Sequence, residues 1–151
     1  MDTAQRFQEL ARKAAVISDL GSASSLMSWD QETMMPPGAA GHRAEQMGTL
    51  ARLAHEYYID PALGDLLREL DQAFSERPYD DVERSVVRVM LREHTNRTRI
   101  PSDLVVEIAE LSAKARETWK EARKKADFSI FAEDLEKQFA LARRLAEALG
   151  Y

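Results

Sequence analysis

Ser102 to Ala126 reads SDLVVEIAELSAKARETWKEARKKA, and its apolar residues Leu104, Ile108, Leu111, Ala115, Trp119, Ala122 and Ala126 recur at steps of four and three. That spacing describes a long amphipathic helix with a narrow seam, and another helix is what buries such a seam. Glu107, Glu110, Glu117 and Glu121 alternate with Lys114, Arg116, Lys120 and Arg123 along the rest of the surface, the ion-paired exterior of an exposed helix. The partner comes next in the chain. Roughly Ser129 to Leu149 carries Phe131, Leu135, Phe139, Ala142, Leu145 and Leu149 at helical spacing, with Gly150 placed to end it. The two segments predict a long antiparallel pair at the C-terminal end, with Leu104, Leu111, Trp119, Phe131 and Phe139 buried.

Upstream the same period holds. Phe7, Leu10, Ala14 and Ile17 start a first helix whose pattern continues toward Leu26 and Met27 despite Gly21. Pro36-Pro37-Gly38 breaks the chain before a second helix with Met47, Leu50, Ala51, Ala54 and Tyr58 on one face. Asp60 and Pro61 supply an N-cap and a first-turn proline for a third, whose Leu63, Leu66, Leu67, Leu70 and Phe74 form one stripe. Asp80 and Asp81 cap a fourth, carrying Val82, Val86, Val89 and Met90. No segment alternates apolar and polar residues long enough to make a strand. The expected class is all-α, about six helices in an antiparallel bundle, and residues 1–151 read as a single helical domain without repeat or linker.

Composition narrows the function. A charged fraction of 31% and a hydrophobic fraction of 44% are ordinary for a folded protein. A net charge of −5 and a pI near 5.3 argue against nucleic acid, whose phosphates call for clustered positive charge. With no cysteine there is no disulfide or thiolate site, which fits a reducing compartment. MDTAQRFQEL lacks the basic and apolar regions of a signal peptide, and no apolar run is long enough to cross a bilayer, so a cytoplasmic protein without a membrane partner is expected.

One stretch departs from generic helix. Ser28 to Gly38, SWDQETMMPPG, sets an indole, two acids and an amide before two methionines and a proline break. Together with Arg43 to Glu56, RAEQMGTLARLAHE, it resembles the N-terminal segment of the M32 zinc carboxypeptidases, the thermostable carboxypeptidase Taq family. Ala115 to Phe131, ARETWKEARKKADFSIF, and the closing EALGY resemble the same family. The resemblance implies a homodimeric enzyme in which a zinc-activated water releases C-terminal residues from peptides, but it reaches only the first part of a family whose members are several times longer. The family's zinc is held by a helical His-Glu-x-x-His motif, two imidazoles one turn apart. Here the histidines are His42, His55 and His94, no two of them four apart, and in His55-Glu56-Tyr57-Tyr58-Ile59 an isoleucine stands where the second ligand belongs. No catalytic residue, metal ligand or cofactor is assigned to this chain; zinc belongs to the full-length family. A carboxylate-bridged metal bundle fails as well, for want of a Glu-x-x-His pair.

Two residue groups remain. Trp29, Asp30, Gln31 and Glu32 suit a peptide-gripping cleft wall, but the structural reading comes first: Trp29 a core anchor and Asp30 a hydrogen-bond acceptor that fixes the turn. In family members these helices wall the active-site groove, so the motif is able to be structural and groove-facing together. Asp30 and Glu32 as an acid/base couple have no visible cause for separated pKa values. Arg84, Arg88 and Arg92 form a cationic stripe able to take a carboxylate or phosphate, against the alternative of a solvated face opposite Val82, Val86 and Val89. His94 reads as a surface or interhelical hydrogen-bond donor. Met27, Met34 and Met35 read as flexible filler at the turn.

The chain is accordingly expected to be the N-terminal helical region of an M32-like metallocarboxypeptidase, as a truncated chain, a partial gene product or a degenerate relative, and inactive alone. Its expected partner is the catalytic remainder of a longer chain, or a second copy in a homodimer, with peptide as substrate of the full-length enzyme. The alternative is a free-standing helical module that binds a protein partner. The two differ in surface: a piece of a larger body leaves Met34, Met35, Tyr57 and Tyr58 uncovered, whereas a module is compact and covers its apolar residues.

Overall fold

The computed structural model describes residues 2–36 and 38–151. Six helices follow in order: α1 (Thr3–Thr33), α2 (Ala40–Tyr58), α3 (Pro61–Ala73), α4 (Val82–Arg97), α5 (Ser102–Lys125) and α6 (Ser129–Leu149). Among the described residues there is no strand, and the all-α reading holds. Pro37, in the middle of the expected break, lies outside the described residues. No described helix is long and apolar enough to cross a membrane.

Local chemistry sets the helix ends. Asp2 accepts from the Gln5 amide at 2.8 Å while Gln5 Oε1 accepts from the Asp2 amide at 3.1 Å, a reciprocal cap on α1. Asp60 accepts from the Ala62 amide at 2.9 Å, with Pro61 opening α3. Of the two acids before α4, Asp81 makes the cap, accepting from the Arg84 amide at 2.9 Å. Asp127 receives both the amide and the hydroxyl of Ser129 at the start of α6, at 2.9 and 2.7 Å. Gly150 ends α6 in the left-handed conformation at φ +87°, as expected. Ala126, read as the last residue of the α5 seam, instead ends that helix at φ +52°, so the chain can reverse through Ala126-Asp127-Phe128.

The 31-residue α1 is the spine. Along its first half it lies antiparallel to α3, with Arg6 paired to Glu69 and Lys13 Nζ 3.3 Å from Asp60 Oδ2. Along its second half it lies antiparallel to α2. Leu63, Leu66, Leu67, Leu70 and Phe74 from the α3 stripe close with Leu10 and Val87 into a dry cluster flanked by Phe7, Ile17, Met90 and Leu91. Here the expected stripes of the first and third helices hold.

Three expected faces do not. On α4 the buried side is Val87 and His94 with Met90 and Leu91 beside them, whereas Val82, Val86 and Val89 are exposed. The true face is rotated by about one residue, some 100° of helix, because one of its members is a histidine that apolar patterning does not count. The broadest partner of α5 is α2, with α6 second. Ala44 and Gly48 leave α2 without bulk at the contact, and a Cβ on Gly48 would stand 2.9 Å from Glu110 Cγ and 3.3 Å from Val106 Cγ1. The alanines of α5, Ala113, Ala115 and Ala122, are buried as a result. The antiparallel α5–α6 pair does form, held by Thr118 Oγ1 donating to Asp134 at 2.6 Å and Arg144 Nη1 to Glu107 at 2.5 Å. Of the five residues expected buried in it only Leu104 is so; Leu111 and Phe131 are half-buried, and Trp119 and Phe139 are exposed at 46% and 57%. Alpha5 turns its innermost side to α2, and α5 is the main neighbour of α6.

Candidate functional site at the end of the first helix

The Trp29–Glu32 motif is helical and forms the last turns of α1, rather than a turn outside it. Helical spacing then directs its four side chains to different surroundings. Gln31 faces α5 and is buried: Nε2 donates to the Ala113 carbonyl at 2.9 Å and to Glu117 Oε1 at 3.1 Å. Asp30 faces α2, where Arg43 Nη2 donates to Oδ2 at 2.5 Å and Arg43 Nη1 reaches the Met27 carbonyl. Glu32 takes Arg116 Nη1 at 2.6 Å on one oxygen and lies 3.3 Å from Lys120 Nζ on the other. Lys120 Nζ also donates to the Gln31 carbonyl at 3.2 Å and to Glu117 at 3.1 Å.

Trp29 is the correction. Two residues from Gln31 is roughly 200° around the helix, so burying the amide against α5 points the indole away from the bundle, and it is 59% exposed. The core anchor of the motif is the amide. Asp30 keeps its expected part as an acceptor. Met34 is 73% exposed while Met27 and Met35 are half-buried, so the methionines do not jointly fill a gap.

Charge and burial act in opposite directions on Glu32 and Lys120. Loss of solvent pushes the Glu32 carboxyl up, but hydrogen bonds and charge from Arg116 and Lys120 outweigh it and hold the carboxyl below its ordinary range. Burial likewise works against the Lys120 ammonium, and Glu117 and Glu32 together raise it above its ordinary value. Asp30 and Glu32 serve different cations and do not form a couple. The set is a lattice of hydrogen bonds and ion pairs that ties α1 to α2 and α5, with Glu32, Arg116 and Lys120 still accessible beside hollows lined by Met35, Pro36 and Gly38 on one side and by Trp119 and Phe131 on the other. Arg43 is the member that reading the motif alone does not reveal; its signal is a basic residue in the first turn after the break.

The three guanidinium groups of α4 do not converge. Arg84 reaches the Arg77 carbonyl, Arg88 stacks over the Tyr79 ring at 4.3 Å, and Arg92 sits 3.9 Å from Glu93. The histidines are equally dispersed. His42 is on the surface near Glu45. His55 is buried, its Nε2 3.0 Å from the Ile100 carbonyl. His94, also buried, lies between helices with Nε2 3.3 Å from the Asp60 carbonyl. A carbonyl only accepts, so each ring carries its proton on Nε2. No three His, Asp or Glu side chains are grouped at metal-ligand spacing among the described residues.

An all-α bundle ending its longest helix in a charged tryptophan motif defines a helical scaffold, and comparison with known proteins identifies whose. The model of the carboxypeptidase Taq (M32) metallopeptidases matches residues 9–151, and the chain belongs to that family. Thermostable carboxypeptidase 1 of Thermus thermophilus is 34% identical over 146 residues, which is 96% of this chain and 28% of that protein. Its namesake from Pyrococcus furiosus is 32% identical over 147 residues, 97% of this chain and 29% of the relative. The crystal structure of BsuCP aligns at a TM-score of 0.90 with 27% identity, covering 97% of this chain and 29% of that one. The chain therefore spans less than a third of the length of these relatives.

Proposed function

We propose that this chain supplies a non-catalytic helical part of a zinc-dependent carboxypeptidase of the M32 family, walling the peptide cleft and supporting a larger catalytic body that is its partner. The observation that carries the reading is the match of nearly the whole chain to under a third of carboxypeptidases, by a stretch with no His-Glu-x-x-His motif. No step of peptide hydrolysis is assigned to its residues. The cleft-wall role draws on the α1 terminus: Gln31 and Asp30 lock the helix end in place, leaving the Glu32, Arg116 and Lys120 charges rigid and accessible, which is how a wall presents polar groups to a peptide without moving.

The test is direct. After dialysis against a weak chelator and readdition of zinc, the purified chain should retain far less than one zinc per chain and release no C-terminal residue from peptides. One tightly held zinc, or peptide hydrolysis that follows the chain through purification, overturns the proposal.

A further inference from the structure

The α5–α6 pair has two grooves, which differ in how many charges border them. One has Leu111, Ala140 and Leu141 as its floor and is bordered on both sides by the charged Glu107, Glu110, Lys114, Asp134 and Lys137. The other is apolar. It begins between Ile108, Leu111, Leu135, Phe139 and Leu145, continues past Ser112 and Gln138, and ends between Trp119, Phe128 and Phe131. Along it Trp119, Phe128 and Phe139 are exposed at 46%, 64% and 57%, and α6 has no fully buried residue at all. A helix carrying Phe131, Leu135, Phe139 and Leu145 that buries none of them completely lacks one of its neighbours. One edge of the groove is closed by the Glu32–Arg116 pair, so an apolar centre has a charged rim.

Two other apolar strips compete for the same role: Val82, Val86 and Val89 on α4, and Leu26 with Trp29 on α1. Each lies along a single helix. The α5–α6 groove is two helices wide, the shape that receives the ridge of another helix. The occupant follows from size. In the BsuCP crystal structure this fold recurs as 29% of a longer chain, so the same six helices exist joined to a body more than twice their size. We infer that the apolar α5–α6 groove is the surface on which that catalytic body seats, rather than the α4 or α1 strips; the inference rests on the function proposed above.

The test compares the chain itself with a chimera in which it replaces the matching part of BsuCP. Trp119→Glu and Phe139→Glu should leave the melting temperature of the isolated chain within about 2 °C, because both side chains already face water, and should cut its binding of a hydrophobic dye by at least about twofold. In the chimera each should lower the melting temperature by about 5 °C or more, while Val82→Glu and Val86→Glu stay neutral in both proteins. If the groove variants are neutral in the chimera, or the α4 variants are the damaging ones, the groove assignment is wrong and the function proposed above stands. A wild-type chimera that does not fold counts against that function and the groove together. Sedimentation of the isolated chain gives the remaining outcome: self-association abolished by Phe139→Glu, with the chimera unaffected, makes a second copy the occupant and overturns the inference.

Discussion

At the scale of the residue, two substitutions separate what is packed from what looks important. Gln31 donates twice inside the α1–α5 contact, whereas Trp29, the more conspicuous side chain, faces solvent. Gln31→Ala leaves the Ala113 carbonyl without that donor and should cost about 1–3 kcal/mol in urea denaturation; Trp29→Ala should cost under about 1 kcal/mol. Gly64 provides the second case. A Cβ there would stand 2.5 Å from His94 Cε1, and the imidazole is buried with nowhere to retreat, so Gly64→Ala should destabilise by about 1–3 kcal/mol. Gly48→Ala should cost less, since the nearest atoms belong to the flexible Glu110 side chain.

At the scale of the element, the α5–α6 junction carries a residue in an unfavourable conformation. Ala126 is the only described non-glycine residue at positive φ, +52°, where its Cβ crowds the carbonyl that follows. Its side chain is exposed, so removal forfeits little packing. Ala126→Gly should raise the free energy of unfolding by about 1 kcal/mol, read as a higher urea midpoint at unchanged slope. The same junction shows how far helix limits are legible beforehand. Asp60 and Pro61, Asp81 and Gly150 mark ends through chemistry local to the chain and were readable as such. Ala126 is not a residue that announces a helix end, and only the need to bring α6 back along α5 places one there.

At the scale of the whole molecule, stability is unevenly distributed. The α1–α3–α4 end holds the closed leucine cluster, whereas α6, packed on the outer side of α5, buries no residue fully. Two histidines tie turns across helices: His55 on α2 holds Ile100 between α4 and α5, and His94 on α4 holds Asp60 between α2 and α3. Burial lowers the basicity of His55, the Ile100 carbonyl opposes this in part, and Arg97 adds to the lowering against a smaller pull from Glu56. Protonation would also place an N–H on Nδ1, which is buried without a partner. The unfolded chain thus binds a proton more readily at this site than the folded one. The contribution of His55 is complete above its unfolded pKa of about 6.5 and falls as pH drops through that value toward the lower folded one. Urea midpoints measured from pH 8 to 5 should fall below pH 6.5, and His55→Gln should remove most of that slope above pH 5.

What the sequence determined by itself is what depends on neighbours within a helical turn: six helices, most of their caps, the Leu63–Phe74 stripe and, through SWDQETMMPPG and RAEQMGTLARLAHE, the family. The direction in which each face points was decided only in three dimensions. Val82, Val86 and Val89 are as apolar as a buried stripe, and Trp119 and Phe139 lie on regular seams, yet all are exposed, because a helical period says that a face exists and not which neighbour covers it. Small residues at Ala44 and Gly48 drew α5 toward α2, and a buried amide at Gln31 turned the indole of Trp29 outward. These are contacts between residues from 58 to 86 positions apart, such as Gly48 with Val106 and Gln31 with Glu117, and close packing between distant segments leaves no periodic trace in either one.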